Sequence, residues 1–467
     1  MDTDLYELSP DRVLEAPQTF RERLKHLGPG FVLSASIVGS GELIATTTLG
    51  AKAGFICLWV VLFSCLVKVT LQIEFGKHAI YSGKTSMGAL SALPGPRLGK
   101  GHWSVWSWLL MMLLKSMQTG GMVGVLALVL MAIFPVGGAG SAVGLLFWCL
   151  VSGLIASLLV CGGKYGKIER WCLVMIGIFT VVTLISVIAV QWTPHAISGK
   201  EIMSGLTPSI PTGAVLLIAL GAFGITGVGG DEIIAYNYWL IEKGYAAHTG
   251  PRPPREDKAT HDAWLERARG WITVMKADAV ASLCCYTLVT ALFYLLGAAV
   301  LHRQGTVPTE HELVPTLASM YTESLGAWAR WVFLIGALVV LFSTLLSALA
   351  AWTRQFADAF SEVGWGNFHD PVSRHRFIRG LAFFFPAWWI LLVFGFRAFG
   401  HNPAVMVIIG GAVTALILLL VVLAAFYMRT RWLPKELKPG RVYDVLLTLS
   451  GLAILGVGVY SVWKAFW

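Results

Sequence analysis

A run of about 20 apolar residues is long enough to cross a ~30 Å hydrocarbon layer, and this chain carries eleven such runs. They fall near 29–50, 54–76, 105–134, 142–161, 171–191, 213–241, 278–301, 328–353, 380–397, 402–428 and 443–464. Backbone groups in lipid must be satisfied within the spanning segment, so runs of this length read as helices. The chain is therefore expected to be an all-α integral membrane protein of about 11 spans. Composition agrees. Hydrophobic residues make up 56% of the chain and charged residues 13%, about half the charged share of a soluble domain. Residues 1–27 mix acids with bases and hold no apolar run, which predicts no cleavable signal peptide. The nineteen Trp fit a membrane protein, where such rings favour the interface.

The net charge of +9 needs no nucleic acid. With the N-terminus placed in the cytoplasm, 27 of the 35 Lys and Arg fall in inner segments and 6 in outer ones. That asymmetry is the positive-inside rule, and it predicts a cytoplasmic N-terminus and an outside C-terminus in a cell membrane. The partners expected are therefore a lipid bilayer and a small ion or solute. The oligomeric state stays open, with a monomer compatible. No CxxC pair, HExxH pair or GxxxxGK[ST] loop occurs, so neither an enzyme nor a resident cofactor is expected. The longest polar insert, 242–277, reads as an exposed loop with a surface helix near 260–276.

Two spans share a sequence. Span one contains Val38-Gly39-Ser40-Gly41-Glu42-Leu43-Ile44-Ala45, and span six contains Val228-Gly229-Gly230-Asp231-Glu232-Ile233-Ile234-Ala235. Five of these eight positions are identical. The copies start five spans apart, hence on opposite sides of the membrane, as in an inverted five-helix repeat. The expected division is a segment 1–27, repeats over 28–191 and 192–428, and an additional helix within 429–467. Gly39, Gly41, Gly227, Gly229 and Gly230 let both helices unwind in mid-membrane. Unwound backbone is tolerated there only inside protein or beside a water-filled cavity. Freed carbonyls bind cations and freed N–H groups bind anions. Glu42 and Glu232 follow the breaks and have two readings, as substrate ligands and as caps of the resumed half-helices.

Other intramembrane polar residues are fewer. Lys68 either snorkels or pairs with an acid on another helix. Lys115 lies near the middle of span three, where snorkelling is harder. Asp278 opens span seven as an interface or capping residue. Arg354 and Asp358 are spaced i,i+4 and can pair on one face. Ser343 and Thr344 are expected to bond back to their own helix.

The stretch from Gly28-Pro29-Gly30-Phe31-Val32 through Gly50-Ala51-Lys52-Ala53-Gly54-Phe55 to Leu58-Trp59-Val60 resembles the Nramp family, the natural resistance-associated macrophage proteins. That resemblance implies a LeuT-type fold and transport of divalent transition metals. The departures bear on the substrate. Family members carry Asp-Pro-Gly-Asn in span one, where this chain has Gly39-Ser40-Gly41-Glu42. They carry Met-Pro-His in span six, where it has Val228, Gly229 and Gly230. They carry acidic residues for proton passage in span three, where it has Gln118 and Gly121, with Lys115 one turn earlier. The resemblance also places Gln355 near the metal path.

What remains is a set of oxygen ligands, Glu42, Asp231 and Glu232 with the hydroxyls of Ser40 and Thr226. Oxygen ligands suit hard cations such as Mg²⁺ or Mn²⁺ better than Fe²⁺ or Zn²⁺ held through sulfur or imidazole. A divalent cation is then the substrate, with Glu42, Asp231 and Glu232 as its ligands. Two alternatives stand beside it. One is a small organic solute or anion held by N–H groups at Gly39–Gly41, with Lys115 as counter-charge. The other is a sensor or scaffold that transports nothing.

Overall fold

The computed structural model describes residues 4–466 apart from 40, 139, 163–164, 309–311 and 401–402. Ten helices among the described residues are long and apolar enough to cross a membrane. A bent pair, Pro29–Ile37 with Gly41–Ala53, makes an eleventh. The later spans are Leu58–Ser82, Trp103–Ile133, Ala142–Gly162, Tyr165–Ala189, the pair Gly213–Ile225 and Gly230–Glu242, Lys258–Leu296, Ala329–Glu362, Pro371–Ala398, Pro403–Tyr427 and Arg441–Phe466. The expected helical class and span count both hold. The main difference is the polar insert. Its expected surface helix is the N-terminal extension of span seven, which runs 39 residues without interruption. Nothing in 260–276 breaks a helix except Gly270, which packs where a side chain would strike Ala16.

Both breaks are where the shared sequence places them. Span one stops at Ile37 and resumes at Gly41 after a bend of 44°. Its second half opens with a π-helical turn, Gly41–Thr46, before becoming α-helical. Span six stops at Ile225 and resumes at Gly230. Gly227 has φ +68, a left-handed conformation that costs a side-chain-bearing residue about 1 kcal/mol or more. Gly39 is fixed by packing, because a Cβ there would run into the side chain of Thr344 on span eight.

The start of span one is held from span seven. Asp278 accepts the amide N–H of Gly28 at 2.8 Å and of Gly30 at 2.7 Å, and the Tyr236 hydroxyl at 2.8 Å. Asp278 is thus a cap, but of another helix than its own. These three charge-assisted bonds satisfy a fully buried carboxylate and tie spans one, six and seven together.

Large apolar side chains divide by helix. Spans four, five and eleven turn Leu150, Leu154, Ile178, Val181, Leu449 and Leu452 outward to lipid. The tryptophans divide, with Trp171, Trp192, Trp328, Trp331, Trp365 and Trp463 exposed. Trp108, Trp239, Trp264, Trp271, Trp352 and Trp389 are fully buried between helices. Trp352, Phe356, Phe385 and Trp389 form one aromatic cluster joining spans eight and nine, with ring centroids 4.8–5.7 Å apart. Aromatic contacts of this kind add to the packing that must hold membrane helices together where no hydrophobic effect separates them from lipid.

Candidate functional site

The breaks in spans one and six face a small polar cavity of about 30 Å³, walled by Gly41, Lys115, Gln118, Gly227, Asp231, Glu232 and Thr344 among others. A space of this size holds one or two water-sized occupants and is far below the ~300 Å³ of a small-molecule pocket. The cavity of about 610 Å³ between Trp103, Met111, Leu420 and Leu452 is an apolar groove with no charged group.

Charge in the cavity is organised around Lys115. Its ammonium is ion-paired to Asp231 and lies 3.6 Å from Glu232. Asp231 and Glu232 sit in the first turn of the resumed half of span six, where the helix dipole favours negative charge. Gln355 on span eight donates its amide N–H to the Asp231 backbone carbonyl at 2.8 Å, anchoring that turn. Gln118 accepts the Thr414 hydroxyl of span ten at 3.2 Å.

Glu42 is placed apart from this group. Fully buried, its Oε1 accepts the Gly227 amide N–H at 3.4 Å and lies 3.3 Å from the Thr290 hydroxyl of span seven. Glu42 therefore spans from one break to the other. Among the described residues no group of three His, Cys, Asp or Glu is arranged to hold a metal ion, so Glu42, Asp231 and Glu232 are not gathered into one ligand set in this conformation. Several buried oxygens at the breaks nonetheless have no hydrogen-bond partner: Glu42 Oε2, Glu232 Oε2, Thr226 Oγ1 and Gln355 Oε1. All four can accept a hydrogen bond or bind a cation. Buried unsatisfied polar atoms are rare in folded proteins and call for a physical explanation.

The remaining sequence-derived residues find partners that spacing did not reveal. Lys68 neither snorkels nor meets an acid. It donates to the backbone carbonyls of Phe223, Gly224 and Thr226 at the end of the first half of span six. Arg354 does not pair with Asp358. It forms two hydrogen bonds to Glu242 of span six, at 2.5 and 3.0 Å, while Asp358 accepts the Tyr238 hydroxyl at 2.6 Å. Thr344 bonds back to Val340 at 3.1 Å as expected, but also to the Ala35 carbonyl at 2.9 Å, where span one starts to unwind. Val228, Gly229 and Gly230 form the rest of the span-six break, with Gly230 packed against Ile417 and Leu418 of span ten. Ser40 lies outside the described residues. Sequence reading missed Thr290 and Thr414, single hydroxyls in apolar spans with no pattern to mark them.

Comparison with known proteins places this architecture. The family model described as natural resistance-associated macrophage protein-like (Nramp) matches residues 30–464. A divalent metal cation transporter, MntH, of Caldanaerobacter subterraneus subsp. tengcongensis is 22% identical over 329 residues, covering 69% of this chain and 68% of its own length. An uncharacterized protein of Pasteurella multocida is 25% identical over 349 residues, covering 72% and 70%. Among solved structures, a mutant of the Eremococcus coleocola manganese transporter aligns with a TM-score of 0.69 at 17% identity, covering 97% of this chain and 90% of that one. MhsT in complex with L-phenylalanine aligns with a TM-score of 0.62 at 17% identity, covering 96% and 100%. At such identities these two likenesses show the fold, the LeuT-type arrangement with broken helices one and six. The family match over nearly the whole length, with the broken spans and the fold in agreement, shows that this chain belongs to the Nramp family of membrane transporters.

Proposed function

We propose that this chain is a transporter, or channel-like carrier, of a hard divalent cation, Mg²⁺ or Mn²⁺, which passes between the two breaks at Asp231 and Glu232. The single observation that carries the reading is chemical. The buried side-chain nitrogen and oxygen atoms left without a partner at the breaks are all oxygens, two of them carboxylate oxygens, and no imidazole lines the cavity, where Met122 is the one thioether in the wall. Oxygen ligands without sulfur or imidazole select hard cations. Family membership points the same way, since one relative is named a divalent metal cation transporter and a structural neighbour a manganese transporter. Cavity size adds to this, because about 30 Å³ accommodates an ion and a water but no amino acid. Lys115 occupies the carboxylates when cargo is absent and must yield them on binding. Proton coupling of the family kind is not part of the proposal, because Gln118 and Gly121 stand where acids for proton passage are implied, with Lys115 one turn earlier.

A second reading has one observation in its favour, the Lys115 ammonium in the cavity wall. A positive charge there suits a carboxylate or zwitterion held against the span-one N–H groups. Uptake into proteoliposomes decides between them. Mg²⁺ or Mn²⁺ flux that is lost in Asp231→Asn supports the cation. No flux of either ion, with uptake of an amino acid or small carboxylate instead, establishes the second reading and removes the first. The proposed orientation puts the N-terminus in the cytoplasm.

A further inference from the structure

The first half of span six ends at Ile225, and the last carbonyls of any helix lack partners inside it. Here one side chain takes three carbonyls at that end. Lys68, fully buried on span two, donates from its ammonium to the carbonyl of Phe223 at 2.6 Å, of Thr226 at 2.7 Å and of Gly224 at 3.2 Å. Ser64, one turn earlier on the same helix face, lies within hydrogen-bond distance of two of the same carbonyls, at 2.9 and 3.0 Å. The Thr226 hydroxyl oxygen of the same turn is buried without a partner. The ion pairs of the neighbouring cavity belong to Lys115; Lys68 is solvated by backbone oxygen.

A positive charge ringed by carbonyl oxygens is how proteins replace the hydration shell of an alkali cation. The position reinforces this, since a half-helix C-terminus carries the negative end of the helix dipole. An ammonium group is close to K⁺ in size, so the shell that fits one fits the other. We propose that the span-six break contains an alkali-cation site which Lys68 fills permanently with its own ammonium, so that transport by this chain draws on no Na⁺ or K⁺ gradient. The inference concerns the coupling and holds whichever cargo moves.

A plain helix cap makes a different prediction. If Lys68 only caps, removing it weakens the protein equally in every salt. If it stands in for a cation, a free cation restores what the variant lost. Lys68→Ala removes the charge and opens its space, while Lys68→Met removes the charge and keeps the space filled. Each is melted, beside the unaltered protein, in NaCl, KCl and choline chloride at equal ionic strength. The unaltered protein is expected to melt at one temperature in all three. Lys68→Ala is expected to melt at least about 5 °C higher in Na⁺ or K⁺ than in choline, with a saturable dependence, because a ligand of the native state stabilises by mass action. Lys68→Met is expected to show no such rise. Lys68→Ala indifferent to the salt, or unrecoverable as folded protein in all three, overturns the proposal. So does uptake by the unaltered protein that falls when choline replaces both Na⁺ and K⁺.

Discussion

Replacing Lys115 by Met removes the charge that holds Asp231 and Glu232 and keeps most of the volume. The three side chains are largely buried, at 4%, 6% and 16% exposure. Removing one partner from a buried pair costs about 3–5 kcal/mol in practice. Lys115→Met should therefore be markedly less stable without divalent cation, with two adjacent carboxylates left uncompensated. The same figure works in reverse for binding. A divalent cation entering the unaltered site must first displace the ammonium, and in Lys115→Met it need not. At 1.4 kcal/mol per tenfold, that difference amounts to about 100-fold in affinity or more. Water in the cavity screens part of it, which leaves at least about tenfold. The assay is thermal denaturation titrated with Mg²⁺ and Mn²⁺, for the unaltered protein, Lys115→Met, Asp231→Asn and the double variant. The double variant should lose less than the sum of the two single losses, as coupled partners do. A Lys115→Met apparent affinity within threefold of the unaltered protein refutes the reasoning. Loss of all binding in that variant would refute it too, and would show that Lys115 is needed to hold Asp231 and Glu232 in place.

Three further outcomes are expected. Glu42→Gln keeps the acceptor for Gly227 but removes the ionisable group, so it should cut divalent flux at least about tenfold while shifting stability by no more than about 1–2 kcal/mol; unchanged flux reduces Glu42 to a structural link between the breaks. Asp278→Asn puts an N–H₂ group against the donors of Gly28, Gly30 or Tyr236, and should cost about 3 kcal/mol, since hydrogen bonds to charged groups are worth roughly 1.5–3 each; a melting temperature equal to that of the unaltered protein would exclude the capping role. Single cysteines placed at the exposed positions Arg255 and Lys200 in a background without the native ones should label from opposite sides of intact cells, Lys200→Cys from outside; labelling of both from one side contradicts the span count.

How much of this was legible beforehand depends on the range of the interaction. Hydropathy marks a span within one stretch of chain, so the eleven spans were readable, and their edges moved mostly where polar helix continues past the lipid, as in Lys258–Leu296 and Ala329–Glu362. The breaks were readable because glycine acts on its own backbone, and both occur at the shared motif. Nramp family residues in spans one and two were legible as well, and the family match extends over residues 30–464. Charge partners were not legible. Arg354 and Asp358 satisfy the i,i+4 rule, yet each finds a partner on span six. A single helix offers two acceptable solutions, and the neighbour's rotation about its axis chooses between them.

The sequence by itself thus determined a membrane protein of eleven spans, broken twice at equivalent glycine-rich positions, each followed by a glutamate. Only the tertiary structure decided what those breaks hold. It set Lys115 against Asp231, sent Glu42 across to Gly227, and turned Lys68 into the occupant of the span-six carbonyls. The physical reason is that lateral packing and axial rotation of helices fix which buried charges meet, and both are set by side chains far apart in the chain. Lys115 and Asp231 are 116 residues apart, a separation over which no helical period carries information.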